Sequence, residues 1–190
     1  QARNRILAIM FFLVPGMIFF FAFLLIPVSN SLYYSVFKWN GLGPPTDFVG
    51  LKNYDFLLGQ KAFQQSIQNS VTIVGLSILV QLPMALSLAL VVGRGTLPGR
   101  SIFRTILFIP FVFSEIITAY IWSYVYHPRD GLANFILHLF APGADNLAWL
   151  ADKEIALLAV FAVITWKFFG LHMILYMAAL QGVPTDLEDA

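Results

Sequence analysis

Glu115 and Lys167 are the residues whose type and position most demand a chemical explanation, because each sits near the middle of a long apolar run. A charged side chain at the bilayer centre costs roughly 2.5 to 3.5 kcal/mol on insertion scales, so such groups face protein or water and pair where they can. Glu115 stands 12 residues after Phe103 and Lys167 13 residues before Leu180, depths within one residue of each other if the two runs cross in opposite directions. The count predicts a buried Glu115 to Lys167 interaction. Two readings of it carry about equal weight: a structural ion pair that fixes helix register, and a polar lining of a translocation path. Other chemistries are excluded by spacing. His127, His138 and His172 form no H-E-x-x-H and no i, i+4 pair, so no metal site is expected and they read as packing or interfacial residues. Gly93-Arg94-Gly95 follows no strand and lacks a third glycine, and there is no P-loop, so the chain has no ATP site of its own. With no G-x-S-x-G elbow and no cysteine, no catalytic residue is expected and the chain does not read as an enzyme.

The elements that must position Glu115 and Lys167 follow from composition. The chain is 59% hydrophobic and only 11% charged, far below the roughly 25% charge of soluble domains. Between Arg5 and Lys38 lie 32 uncharged residues, and another 32 between Lys61 and Arg94. About 20 apolar residues suffice to cross a bilayer as a helix, and four stretches qualify: 6–28, 66–92, 103–126 and 155–180. The expected fold is all-α, a polytopic transmembrane helix bundle in one permease-like domain over 1–190. The first stretch follows Arg3 and Arg5 but is too long for a signal core of about 7 to 15 residues, so it reads as a retained helix, emerging from lipid and ending near Lys38 and Trp39.

Orientation comes from charge density. Arg3, Arg5, Arg94, Arg100 and Arg104 crowd span ends, whereas Lys38, Lys52, Lys61, Arg129 and Lys153 are spread over longer loops. Dense flanking arginine marks the cytoplasmic side. The N-terminus is therefore expected inside, with outer loops at 38–65 and 127–154 and an inner loop at 93–104. Within the second outer loop, Leu132, Phe135, Ile136, Leu139 and Phe140 recur at helical spacing, predicting a short helix over Leu132–Phe140. Pro15, Pro83 and Pro110 lie inside spans, and Pro110 is the one read as a kink of mechanistic interest. A net charge of +1 without a basic run excludes a nucleic-acid footprint.

The last residues read as a helix start. Thr185 and Glu188 make a capping box and Asp186 adds charge to the first turn. The sequence stops within about two turns, too short for a stable helix alone, so the chain is expected to be a fragment that lacks further C-terminal spans.

The ordered set of motifs resembles the sugar-type permease subunits of binding-protein-dependent ABC importers, the family of the maltose and glycerol-3-phosphate permeases. The resemblance rests on Trp39-Asn40-Gly41, Phe48-Val49-Gly50-Leu51-Lys52-Asn53-Tyr54, Asn69-Ser70, Gly99-Arg100, Gly131-Leu132-Ala133-Asn134, Trp166-Lys167 and Leu180-Gln181. Glu188-Asp189-Ala190 resembles the opening of that family's cytoplasmic coupling loop, with Asp in place of the usual Ala at the second position. The resemblance implies an importer for a sugar, oligosaccharide or glycerol phosphate. Its partners would be a second homologous permease, an ABC ATPase dimer that binds ATP and Mg, an extracytoplasmic solute-binding protein and the lipid bilayer of a bacterial or archaeal cell membrane. Thr185, Asp186, Glu188, Asp189 and Ala190 would meet the ATPase. Glu115, Tyr120, Trp166, Lys167 and His172 are the residues placed to meet substrate. Competing readings are a permease for another solute class of the same superfamily and a gradient-driven carrier or channel that uses Glu115 and Lys167 as a relay.

Overall fold

The computed structural model of the chain describes residues 2–94 and 99–182. It divides into two units, Gln1–Ile67 and Gln68–Ala190. Among the described residues the regular secondary structure is all helical, apart from one isolated antiparallel bridge between Phe37 and Phe48.

The first unit is dominated by α1, whose span-length apolar part is Ile9–Tyr34, with a π turn at Phe21–Leu25. Its large side chains point outward on all sides, Phe11 75% and Phe12 79% exposed, so they require lipid or another protein rather than water. The helix ends at Tyr34, short of the expected Lys38 and Trp39. The chain turns there because the backbone of Ser35 and Phe37 is claimed from elsewhere: Asn53 Nδ2 donates to both carbonyls, at 2.8 and 2.9 Å, and Tyr54 donates to Ser35 Oγ at 2.7 Å. Asn53 and Tyr54 belong to α2 (Lys52–Gly59). The loop between is ordered by Trp39, whose ring lies tilted against Tyr34 with centroids 4.2 Å apart and whose Nε1 donates to Gly43 O at 2.9 Å.

In the second unit, which begins at Gln68 within α3 (Lys61–Gly93, with a π turn at Ser77–Gln81), the further helices are α4 (Arg100–Val112), α5 (Glu115–Val125), α6 (Leu132–Phe140) and α7 (Ala156–Leu180). Small residues recur every fourth position on α3, at Ala85, Ala89 and Gly93, and the first two are fully buried. Small ridges of this kind let membrane helices approach closely. Met173 and Met177 of α7 fill the space, and Met177 Cγ lies 3.2 Å from where a Cβ on Gly93 would stand. Arg104 Nη2 donates to Val92 O at 3.1 Å, satisfying one of the carbonyls left open at the end of α3.

The third expected span, 103–126, is not a straight helix. It is the pair α4 and α5, bent by 100°. Pro110 lies inside α4, and the break falls three residues later, at Phe113 and Ser114. Phe113 is extended at ψ 139°, and Ser114, at ψ 158°, caps a new helix by accepting from Ile117 N at 3.3 Å. A serine N-cap restarts a helix by satisfying an otherwise free N–H, and that local bond competes with continuing α4.

The segment after α5 is tied by one amide. Asn134, 1% exposed, donates through Nδ2 to Pro128 O (2.9 Å) and Leu147 O (3.1 Å), and its Oδ1 accepts from Leu147 N (3.1 Å) and Trp149 Nε1 (3.0 Å). Trp149 stacks on Tyr126, whose hydroxyl donates to Ala159 O at 2.9 Å. Gly131 precedes α6 because a Cβ there would lie 2.4 Å from His127 O. Each hydrogen bond is worth about 1 kcal/mol net, and partners stranded in the interior cost more. Asn134→Ala is therefore expected to lower stability by about 3 kcal/mol or more. The check is a lower Tm in detergent together with new protease cleavage between residues 128 and 149.

Candidate functional site

Lys167 is buried on α7, 5% exposed, at the break between α4 and α5. Its Nζ donates to Phe113 O at 2.8 Å, approaches Glu115 Oε1 at 3.0 Å, and reaches Thr118 Oγ1 at a long 3.5 Å. A broken span frees backbone carbonyls that lipid cannot satisfy. The ammonium meets one of them, at the negative end of the α4 dipole, while Glu115 occupies the first turn of α5, where the dipole favours an anion. Three donors thus meet three acceptors drawn from both sides of one break.

The pair is lopsided. Glu115 is 79% exposed against 5% for Lys167, so the carboxylate is the open end and the expectation of a pair buried at both ends is corrected. The physical reason is the helix restart: Glu115 is the first residue of α5 and projects past its packed face, whereas Thr118, one turn on, is buried.

The other residues singled out from the sequence go different ways. Trp166 stays close, with its ring 6.3 Å from Phe113 in a stacked arrangement and 5.6 Å from Trp122 edge-on. It also lines an apolar cavity of about 440 Å³ with Trp122, Tyr126, Trp149 and Leu132. Tyr120 does not join Lys167. It follows Glu115 by five residues, which at about 100° per residue carries it some 140° round the helix, and there it pairs with Tyr124, hydroxyls 3.1 Å apart. His172 faces elsewhere, lining a cavity of about 340 Å³ with Leu82, Leu175, Tyr176 and Ala179. Thr185, Asp186, Glu188, Asp189 and Ala190 lie outside the described residues. Sequence reasoning missed Phe113, Ser114 and Thr118 as parts of the site. The usable signal was Ser114-Glu115, an N-cap followed by an acid, standing inside an apolar run.

No family model matches the chain. A probable ABC transporter permease protein of Bacillus subtilis is 35% identical over 191 residues, 99% of this chain and 64% of the relative. The chain belongs to the ABC importer permeases. The diacetylchitobiose uptake system permease protein of Streptomyces coelicolor is 32% identical over 98% of this permease chain and 56% of its own length. The solved bacterial alginate ABC transporter, in complex with an alginate pentasaccharide-bound periplasmic protein, superposes with a TM-score of 0.79 at 26% identity, over 99% of this chain and 61% of that one. The permease chain thus spans less than two thirds of the length of the proteins it matches. It is a multi-pass membrane protein, and the bent pair α4 and α5, together long and apolar enough for one crossing, breaks at the lysine site.

Proposed function

We propose that this permease chain forms part of the translocation path of an ATP-driven importer for a sugar or oligosaccharide. The observation that carries the reading is the Glu115 carboxylate, held at a break in a membrane-length helix pair by a buried lysine and left open on its other side. An exposed carboxylate on a membrane-spanning element requires water, solute or protein beside it and excludes lipid. Family membership supplies the class of process, and the names of the relatives, which include chitobiose and alginate systems, support carbohydrate as cargo.

In this reading a soluble receptor delivers solute to the outer loops. A second homologous permease completes the path, and an ATPase dimer that binds ATP and Mg drives alternating access. The segment beginning at Thr185 and Asp186, and above all Glu188, Asp189 and Ala190, is the coupling element received by the ATPase. The N-terminus is cytoplasmic, as the arginine density requires. The full-length parent, expressed with its genomic neighbours and purified on a tag in this subunit, is expected to bring down a second permease and an ATPase. Liganded receptor should stimulate ATP hydrolysis several-fold. A lone subunit that carries solute down an ion gradient without ATP would overturn the reading.

A further inference from the structure

We infer that the π turn of α3 is a movable register, and that Gln81, its last residue, closes a hydrogen bond with His172 of α7 in another state of the transport cycle and latches the two helices together there. The inference rests on the importer reading above, which supplies the second state, and adds the two side chains that hold it.

Two π turns occur among the described residues, and they are built alike. Phe21–Leu25 is closed by Ile26 N on Phe21 O and followed by Pro27, and Ser77–Gln81 is closed by Leu82 N on Ser77 O and followed by Pro83. In each, a serine four residues past the proline donates its hydroxyl to the proline carbonyl, Ser31 to Pro27 O at 2.9 Å and Ser87 to Pro83 O at 2.8 Å. A proline ring presses on the carbonyl four residues back, and a wider turn ahead of it gives that ring room. Pro110 and Ser114 keep the same spacing, yet no π turn precedes them and the helix breaks instead. The spacing therefore fixes no single register.

The last residue of the π turn is Leu25 in α1 and Gln81 in α3. Leucine suffices to build the turn, so the amide of Gln81 serves something else. Gln81 is 2% exposed and its Nε2 has no partner, a costly state for a buried donor. On α7, which the π turn touches, His172 Nδ1 is likewise buried and unpartnered, and it is an acceptor when the ring proton sits on Nε2. The cavity of about 340 Å³ that His172 lines is also lined by Leu82, the residue after Gln81. Thr165, also unpartnered on α7, stands seven residues from His172, about 10 Å along the axis. A π turn that moves one residue along a helix re-aims the side chain it passes by one residue's rotation, about 100°. Moved toward Pro83, it brings Gln81 to the bearing Leu82 now has, over the cavity and His172. The present register leaves a donor and an acceptor apart, and the shifted one joins them.

The test uses the complete importer, purified with its ATPase and reconstituted in liposomes, compared nucleotide-free and trapped with ATP and vanadate. In the wild type, amide hydrogen exchange over Ser77–Gln81 is expected to change several-fold between the two conditions, whereas Phe21–Leu25, which ends in leucine, keeps its rate. Gln81→Leu copies the α1 turn. It is expected to keep or raise the Tm, because an unpartnered amide leaves the interior, and to lower receptor- and ATP-dependent uptake about fivefold, the effect of one hydrogen bond made in one state only. His172→Leu should lower uptake similarly, and the double variant no further, as for two halves of one bond. A purely structural Gln81 would move Tm and uptake in the same direction. A lower Tm for Gln81→Leu means that the amide already has a partner, in the rest of the parent protein or in another subunit, and overturns the latch. Unchanged uptake, additive losses in the double variant, or exchange at Ser77–Gln81 unaltered by trapping overturns it equally and leaves the importer intact. Absence of ATP-dependent uptake by the wild type with a liganded receptor overturns the importer reading itself. The exchange measurement needs no variant to fold.

Discussion

Gly170→Ala is expected to yield almost no correctly folded permease. A methyl group on that residue would sit 1.9 Å from the Leu107 carbonyl oxygen and 2.6 Å from its carbonyl carbon. The obstacle is backbone of α4, not the tip of a flexible side chain, so relief requires the two helices to part by more than an ångström along their contact. Overpacking of ordinary core side chains costs about 1 to 3 kcal/mol, and a backbone clash of this size exceeds it. The separation would also drag Phe113 O away from Lys167 Nζ, at present 2.8 Å, and so open the break. Gly75→Ala is the matched control. It too is a helical glycine, with nothing within 4 Å of the added methyl, and by propensity alone gains about 0.5 to 1 kcal/mol. Monodisperse recovery from detergent and the Tm of the two variants, side by side, decide the matter: equal yields would mean that α4 and α7 are not held at that distance.

The second large effect is an asymmetry. Glu115→Ala is expected to damage the protein more than Lys167→Met, although both remove one member of the same ion pair. Removing the exposed carboxylate strands an ammonium at 5% exposure with only a carbonyl and a distant hydroxyl for company. Leaving a buried charge uncompensated costs about 3 to 5 kcal/mol. Removing the lysine instead takes the buried charge away. The carboxylate, 79% exposed, stays solvated, and the chief loss is the hydrogen bond to Phe113 O, about 1 to 2 kcal/mol. A pair buried at both ends would give equal losses, so the ratio of the two Tm decrements reads the lopsidedness directly. The double variant with both changes should recover most of what Glu115→Ala loses.

Counting residues from span ends placed Glu115 and Lys167 at one depth, and in the structure they stand 3.0 Å apart. Such a count works because helical rise per residue is fixed, so depth is encoded in sequence even when neighbours are not. The helix expected over Leu132–Phe140 is found at those residues, since its apolar spacing is dictated by one packed face. The break at Phe113 was not foreseen. Pro110 drew attention as the helix breaker, yet a proline can be carried within a membrane helix when nearby groups satisfy the freed carbonyl. What ends α4 is Ser114, whose cap on Ile117 is weak as a sequence signal and becomes decisive only with a lysine delivered from 54 residues away to take the Phe113 carbonyl. Gly170 was illegible for the same reason. Nothing in its own helix demands glycine, and the demand comes from a carbonyl on α4.

Asn134 has a consequence for the conditions under which the segment it organises keeps its shape. The fastening consists of four hydrogen bonds to one side-chain amide, in a chain without a single cysteine. An amide neither gains nor loses a proton across the biological pH range, and it is indifferent to oxidants and reductants. The Asn134 fastening of the segment between α5 and α7 is thus made of chemistry that acid, base and thiols leave untouched. That one knot therefore holds Pro128, Leu147 and Trp149 together whatever the acidity or redox state of the surrounding medium.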